Sequence, residues 1–128
     1  MIKMNASDIQ QIRENLQRRD LKRRQQNETL RRDTLEKAKA VIGTFFAGYP
    51  GTVVYLTGSV VKPGAFSADS DIDIAVEGFP GSRLDLYASL SVLFEQPIDI
   101  IILEKCHFAE HIRRNGLLVN TRRADINS

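Results

Sequence analysis

The chain is poor in the residues that build specialised scaffolds. It has one cysteine, Cys106, no tryptophan and four prolines in 128 residues. A single thiol excludes an internal disulfide, so folding is not tied to an oxidising compartment. No apolar run is long enough to span a bilayer, and Met1-Ile2-Lys3 leads into polar sequence rather than an apolar signal region. The cytoplasm is the expected compartment, with no membrane role. Aromatic rings are missing from the whole stretch between Ile2 and Leu35. The basic segment "RRDLKRRQQNETLRR" therefore has nothing on which to stack a base, and Asp20, Glu28 and Asp33 dilute its field. Nucleic acid is not the expected partner. A solvated face or a protein-docking helix is.

What is present fits one domain with a real core. Its charge is unevenly spread. Residues 1–40 hold eleven Lys/Arg against six Asp/Glu, residues 41–112 hold three against nine, and residues 113–128 hold four against one. A basic arm and a basic tail thus flank an acidic centre, which suits divalent cations better than phosphodiesters.

In the arm, Ser7 and Gln10 have the spacing of a capping box, and Ile9, Ile12 and Leu16 form a narrow apolar stripe. The stripe fades through "KRRQQN" and resumes at Leu35, Ala38, Ile42 and Phe45. Two helices, or one long broken one, are expected over about residues 7–26 and 28–47. The first carries too little apolar surface to be buried in a monomer, and it suits docking onto a partner or a second copy. From Gly51 the period changes. "TVVYLTG" and "DIDIAV" read as strands, "SRLDLYASLSVLFEQ" as a helix capped by Ser82, and "PIDIIIL" as a central strand buried on both faces. "HFAEHIRRNG" is a short helix closing at Gly116, and "LLVN" a last extended piece. The expected fold is α/β (α+β): a small mixed sheet flanked by helices, with a basic helical arm over 1–48 and the domain proper over 49–128.

The stretch "GSVVKPGAFSADSDIDI", residues 58–74, carries the chemistry. Asp71 and Asp73 are two apart on a strand and so share a face. Asp99 sits near the start of the Ile-rich strand, and adjacency of the two strands would gather three carboxylates. Like charges so placed repel, and a hard divalent cation such as magnesium reverses that penalty. Two such ions about 4 Å apart can activate an attacking oxygen and stabilise a leaving one. Gly58 lets backbone approach a phosphate, Ser59 adds a hydroxyl, and Lys62 near the Pro63-Gly64 turn supplies a cation. Taken singly, each piece has a plainer reading: Asp71 as a turn residue, Asp99 as the ion-pair partner of Arg83 or Lys105.

Taken together, "LTGSVVKPGAFSADSDIDIAV" followed by "PIDIII" resembles the nucleotidyltransferase superfamily that includes DNA polymerase beta. The size is similar to that of the minimal nucleotidyltransferases, the MNT proteins of prokaryotic toxin–antitoxin pairs. The resemblance covers about residues 52–120. It implies that Gly58, Ser59 and Ser70 lie at the nucleotide, and that Asp71 and Asp73 hold magnesium. It also implies that Asp99 is the third acid, helping to deprotonate an acceptor hydroxyl. It further implies ATP as substrate and, as partner, a HEPN-type ribonuclease toxin silenced by AMP transfer to a tyrosine. The chain departs from the pattern in its loop. Eleven residues separate Ser59 from Asp71 where the family usually has ten, and "VVKP" lacks the arginine often found after the serine. A reshaped phosphate loop is expected. Two other functions use the same residues: a catalytically lapsed module that neutralises a partner by occlusion, and a small-molecule (antibiotic) nucleotidyltransferase, which usually needs an additional helical domain.

"HFAEH", residues 107–111, matches the H-x-x-E-H zinc-protease pattern, but only seventeen residues follow His111 to supply a further ligand. Surface histidines are the expectation there, and Cys106 reads as a small half-buried residue rather than a nucleophile.

Overall fold

The structure, a computed structural model, describes residues 3–120. The first element is a single helix, α1 (Ala6–Phe46), rather than a broken pair. At 1.5 Å per residue it is about 60 Å long. The apolar stripe does lapse near residue 25, but amphipathicity and helicity are separate properties. "KRRQQN" has no glycine or proline and consists mostly of good helix formers. Ion pairs along the helix bridge the gap: Asp20 with Arg23 and Arg24 at 2.7 and 2.6 Å, then Glu28 with Arg31 and Arg32. The capping box lies two residues earlier than Ser7 and Gln10 would place it. Asn5 accepts from the Asp8 amide at 2.8 Å, and Asp8 accepts from the Asn5 amide.

After α1 come β1 (Val53–Thr57), a 3₁₀ turn over Gly58–Val61, β2 (Ile72–Glu77), α2 (Arg83–Ser91) and β3 (Ile98–Ile102). A second 3₁₀ turn (Leu103–Lys105), α3 (Ala109–Asn115) and β4 (Leu117–Asn120) complete the described chain. Ser82 caps α2 by accepting from the Asp85 amide, and Gly116 caps α3, both as the sequence indicates. The fold is α+β, with a four-stranded mixed sheet in the order β3-β2-β1-β4. β2 pairs antiparallel with β1 and parallel with β3, the latter connection running through α2.

That order corrects one expectation. Among the described residues the Ile-rich β3 is an edge strand, not a central one. Its isoleucines reflect cover on its faces rather than neighbours on both sides. Ile98 and Ile100 are buried, whereas Ile101 and Ile102 are half-exposed and Asp99 is open to solvent.

Strand alternation sorts the side chains between two unequal layers. On one face Val54, Leu56, Ile72, Ile74, Val76, Ile98 and Ile100 pack with Ala38, Ile42 and Phe46 of α1 and with Leu86 and Leu90 of α2. On the other, Ala75 packs with Leu103 and with Ile112 of α3, joined by Tyr55, Ile101 and Cys106. The core runs without a break across residue 48, since the C-terminal half of α1 supplies part of the larger layer. The N-terminal half supplies none: Ile9, Ile12 and Leu16 are 48, 46 and 58 % exposed. No helix among the described residues is long and apolar enough to cross a membrane.

Candidate active site

The parallel pairing of β2 with β3 decides where the acids go. Its register sets Asp73 directly opposite Asp99, with Ile72 opposite Ile98 and Ile74 opposite Ile100. Neighbouring strands are about 4.8 Å apart, so the two carboxylates are close on the face shared with Ala75 and Ile101. Asp71 stands at the mouth of β2 and is exposed, while Asp73 is half-buried. Burial first, then the charges of Asp99 and Asp71, push the Asp73 carboxyl above the usual carboxylate range. The two strands are neighbours, which brings Asp73 and Asp99 together, with a repulsion that the Asp73 shift reflects.

β1 delivers the glycine to the same place. Thr57 pairs with Asp73 across the antiparallel ladder, and the chain then turns sharply at Gly58. Gly58 has a φ of +79°, a left-handed conformation that costs other residues energy. A Cβ built on it would collide with Oδ2 of Asp73. The left-handed backbone calls for glycine, and any side chain here would also have to push the Asp73 carboxylate aside. Ser59 follows in the 3₁₀ turn, half-buried, with its carbonyl accepting from the Lys62 amide at 3.1 Å. Lys62 is exposed and makes no ion pair with any of the three acids. Ser70 closes a turn: its hydroxyl accepts from the Ser67 amide at 3.0 Å and its amide donates to the Ser67 carbonyl. It adjoins Asp71 in the chain, but its side chain serves the loop.

Asp99 is not free. Arg83, in the first turn of α2, places Nη2 3.1 Å from its Oδ1 and donates from Nε to the Ile100 carbonyl at 2.8 Å. The plainer reading of Asp99, a surface ion pair, is thus satisfied in the same geometry that sets it beside Asp73. Among the described residues no three His, Cys, Asp or Glu side chains are drawn together closely enough to hold a metal ion. The fit to magnesium is consequently uneven. Asp71 and Asp73 offer oxygen donors that no cation of the described residues pairs, while Asp99 is taken by a guanidinium.

Two residues of α1 that no sequence motif marks, Glu28 and Arg31, also reach the loop. Arg31 is 8 % exposed and donates from Nη1 to the Val60 carbonyl at 3.2 Å. Its Nε donates to both oxygens of Glu28, at 3.1 and 3.0 Å, and Glu28 in turn accepts from the Gly64 amide at 3.4 Å. A signal for it existed. Extended toward the N-terminus, the core stripe Phe46, Ile42, Ala38, Thr34 lands on Arg31. A charged residue on the core face of a helix needs a partner or a task.

The zinc-protease pattern dissolves in three dimensions. His107 precedes α3 and only His111 lies on it, so the two do not share a helix face. Glu110 pairs with Arg113 at 3.1 Å, and His111 Nδ1 meets the Asn115 amide. Cys106 is half-buried against the smaller core layer, as expected.

The family described as Polymerase beta, Nucleotidyltransferase matches residues 51–125, from just before β1 to beyond the described strands. No curated protein matches the chain. The match spans more than half of the sequence and contains the glycine turn and all three acids, and on that ground the chain belongs to the polymerase beta nucleotidyltransferase family.

Proposed function

We propose that this protein is a metal-dependent nucleotidyltransferase that moves AMP from ATP to a hydroxyl on a partner protein, acting as the antitoxin of a pair with a HEPN-type toxin. The observation that carries the chemistry is the register of Asp73 with Asp99 beside Gly58, where a side chain would displace the Asp73 carboxylate. Backbone amides of the Gly58–Val61 turn and the Ser59 hydroxyl hold the triphosphate, and Lys62 and Ser70 lie at its margin. The acceptor oxygen attacks the α-phosphorus, the bond to the bridging oxygen breaks, and pyrophosphate leaves. The hydroxyl proton passes to Asp99, the acid nearest the edge of the sheet. Magnesium bound at Asp71 and Asp73 would neutralise phosphate charge and the repulsion among the acids. Positioning and charge neutralisation supply most of the catalysis in such a transfer.

The partner is favoured by the arm. A helix that leaves Ile9, Ile12 and Leu16 in solvent has a stripe suited to a groove on another protein. Occlusion without chemistry is the second reading, favoured by the Arg83–Asp99 pair, which occupies the third acid. Incubation with α-labelled ATP and magnesium, with and without the candidate toxin, separates the two. Label on the partner that vanishes with Asp71→Asn supports transfer. A stable complex without label supports occlusion. Complex formation that survives deletion of residues 1–26 removes the arm from either account.

A further inference from the structure

We propose that Glu28 and Arg31 are positioning residues for the phosphate-binding loop, so that α1 sets how firmly a nucleoside triphosphate is held. The proposal rests on the reading of residues 58–64 as a triphosphate loop. Burying an arginine is costly unless its donors are used, and a plain ion pair with Glu28 could be met anywhere on the helix surface. Here both partners spend their remaining capacity on one loop. Arg31 donates to the Val60 carbonyl and Glu28 accepts from the Gly64 amide, so the pair grips the loop on either side of Val61-Lys62-Pro63.

The grip has a rigid base. Arg31 stands one turn or less from Thr34 and two from Ala38, both buried, with Ile42 and Phe46 anchoring the same helix face in the core. Gly64 has a φ of +83° with no atom near the position of a Cβ. Its glycine is needed for backbone conformation alone, and the Glu28 carboxylate is what meets its amide. Glu28 is held ionised, its carboxyl lowered to about 2, chiefly by the Arg31 hydrogen bonds against an opposing effect of burial. The pairing has a second consequence for an anionic ligand. A lone carboxylate beside a phosphate loop would repel it, and Arg31 cancels that charge in place.

The test uses the full chain and two readouts. Hydrogen exchange of the Gly64 amide is followed without nucleotide, and affinity is measured for a fluorescent, non-hydrolysable adenosine triphosphate with magnesium. Glu28→Ala is expected to speed Gly64 exchange and weaken the probe by about tenfold each, since it removes the acceptor of the Gly64 amide and strips the buried Arg31 of its carboxylate partner. Glu28→Gln keeps an acceptor oxygen and should restore most of the protection, whereas Glu28→Met, of similar bulk but with no such acceptor, should not. Arg31→Met should weaken the probe further, since it leaves Glu28 unpaired. Should that variant fold poorly, the half-exposed Glu28 position still decides the matter. Unchanged Gly64 exchange in Glu28→Ala overturns the grip, and faster exchange with unchanged affinity overturns its bearing on the nucleotide. If the unaltered protein binds no probe, the triphosphate reading itself falls and takes the nucleotide half of the proposal with it. The exchange data then still decide whether the helix holds the loop.

Discussion

Asp73→Asn should make the metal-free protein more stable while ending transfer. Asp73 faces Asp99 across a parallel pair of strands and carries no ion pair among the described residues, so its charge is a net cost to the fold. At about 5 Å and an effective dielectric of about 80, the repulsion is about 0.8 kcal/mol, and it rises to about 3 kcal/mol at a dielectric of about 20. The lower end applies, because Asp73 is only half-buried and Arg83 already offsets the charge of Asp99. A gain of about 0.5–1 kcal/mol corresponds to about 2–4 °C in melting midpoint for a chain of this size. The pH dependence follows from the direction of the shift. The Asp73 carboxyl titrates higher in the folded than in the unfolded chain, so the unaltered protein gains stability as pH falls through that window. The advantage of the variant should therefore be present at pH 7 and fade in acid. Thermal melts in chelator at pH 7 and at pH 4 measure both. Magnesium should then raise the midpoint of the unaltered protein and leave that of Asp73→Asn where it was. A variant that melts lower at pH 7 in chelator would refute the reasoning, because it would make Asp73 a structural anchor instead of an acid waiting for a cation.

Other expectations are as direct. Gly58→Ala should lose about 1–2 kcal/mol from its left-handed backbone alone and more from displacing Asp73, with transfer falling to background; equal stability by denaturant melt would contradict the geometry. Ile42→Ala should cost about 2–5 kcal/mol, whereas Ile9→Ala should stay within about 0.5 kcal/mol, since one side chain is buried and the other half in water. Urea titration of the pair tests whether the C-terminal half of α1 belongs to the core. Arg83→Met should alter stability by less than about 1 kcal/mol, as befits an exposed pair. The same change should shift the magnesium dependence of transfer to lower concentration, because Asp99 loses a competing cation; an unchanged magnesium titration would show that Arg83 does not compete.

What could be read in the sequence was local. Asp-x-Asp on a β-branched run, a glycine after a strand and a serine before a helix each state their role within a few residues, and β2, the Gly58 turn and the cap of α2 follow from them. The errors came where neighbours decide. An isoleucine run indicates cover, and cover is equally available at an edge when helices and turns lie over it, so the run alone does not tell a central strand from the edge position beside β2. The lapse in the α1 stripe marks where the helix leaves the domain, not where it stops. Arg31 was missed because an arginine among many arginines in a basic helix looks solvated, and only the phase of the stripe sets it apart.

That phase also constrains how a partner must approach. Asp73 and Asp99 share the sheet face of Ala75, Ile101 and α3, while α1 packs on the opposite face with Ile72, Ile74 and Ile100. The helix meets the acid-bearing end of the sheet where Glu28 and Arg31 reach Gly64 and Val60. The exposed stripe of the arm lies farther along the same helix, about 18 Å beyond Glu28 at Leu16 and about 28 Å at Ile9. A protein gripped by Ile9, Ile12 and Leu16 is thus held at a distance from the acids, and a flexible acceptor segment, rather than a side chain fixed in the gripped surface, is what this arrangement can serve. If a complex is found, tethering the acceptor residue by shortening its segment should abolish label transfer without weakening the complex. Loss of both together would place the grip and the chemistry on one surface and contradict this separation.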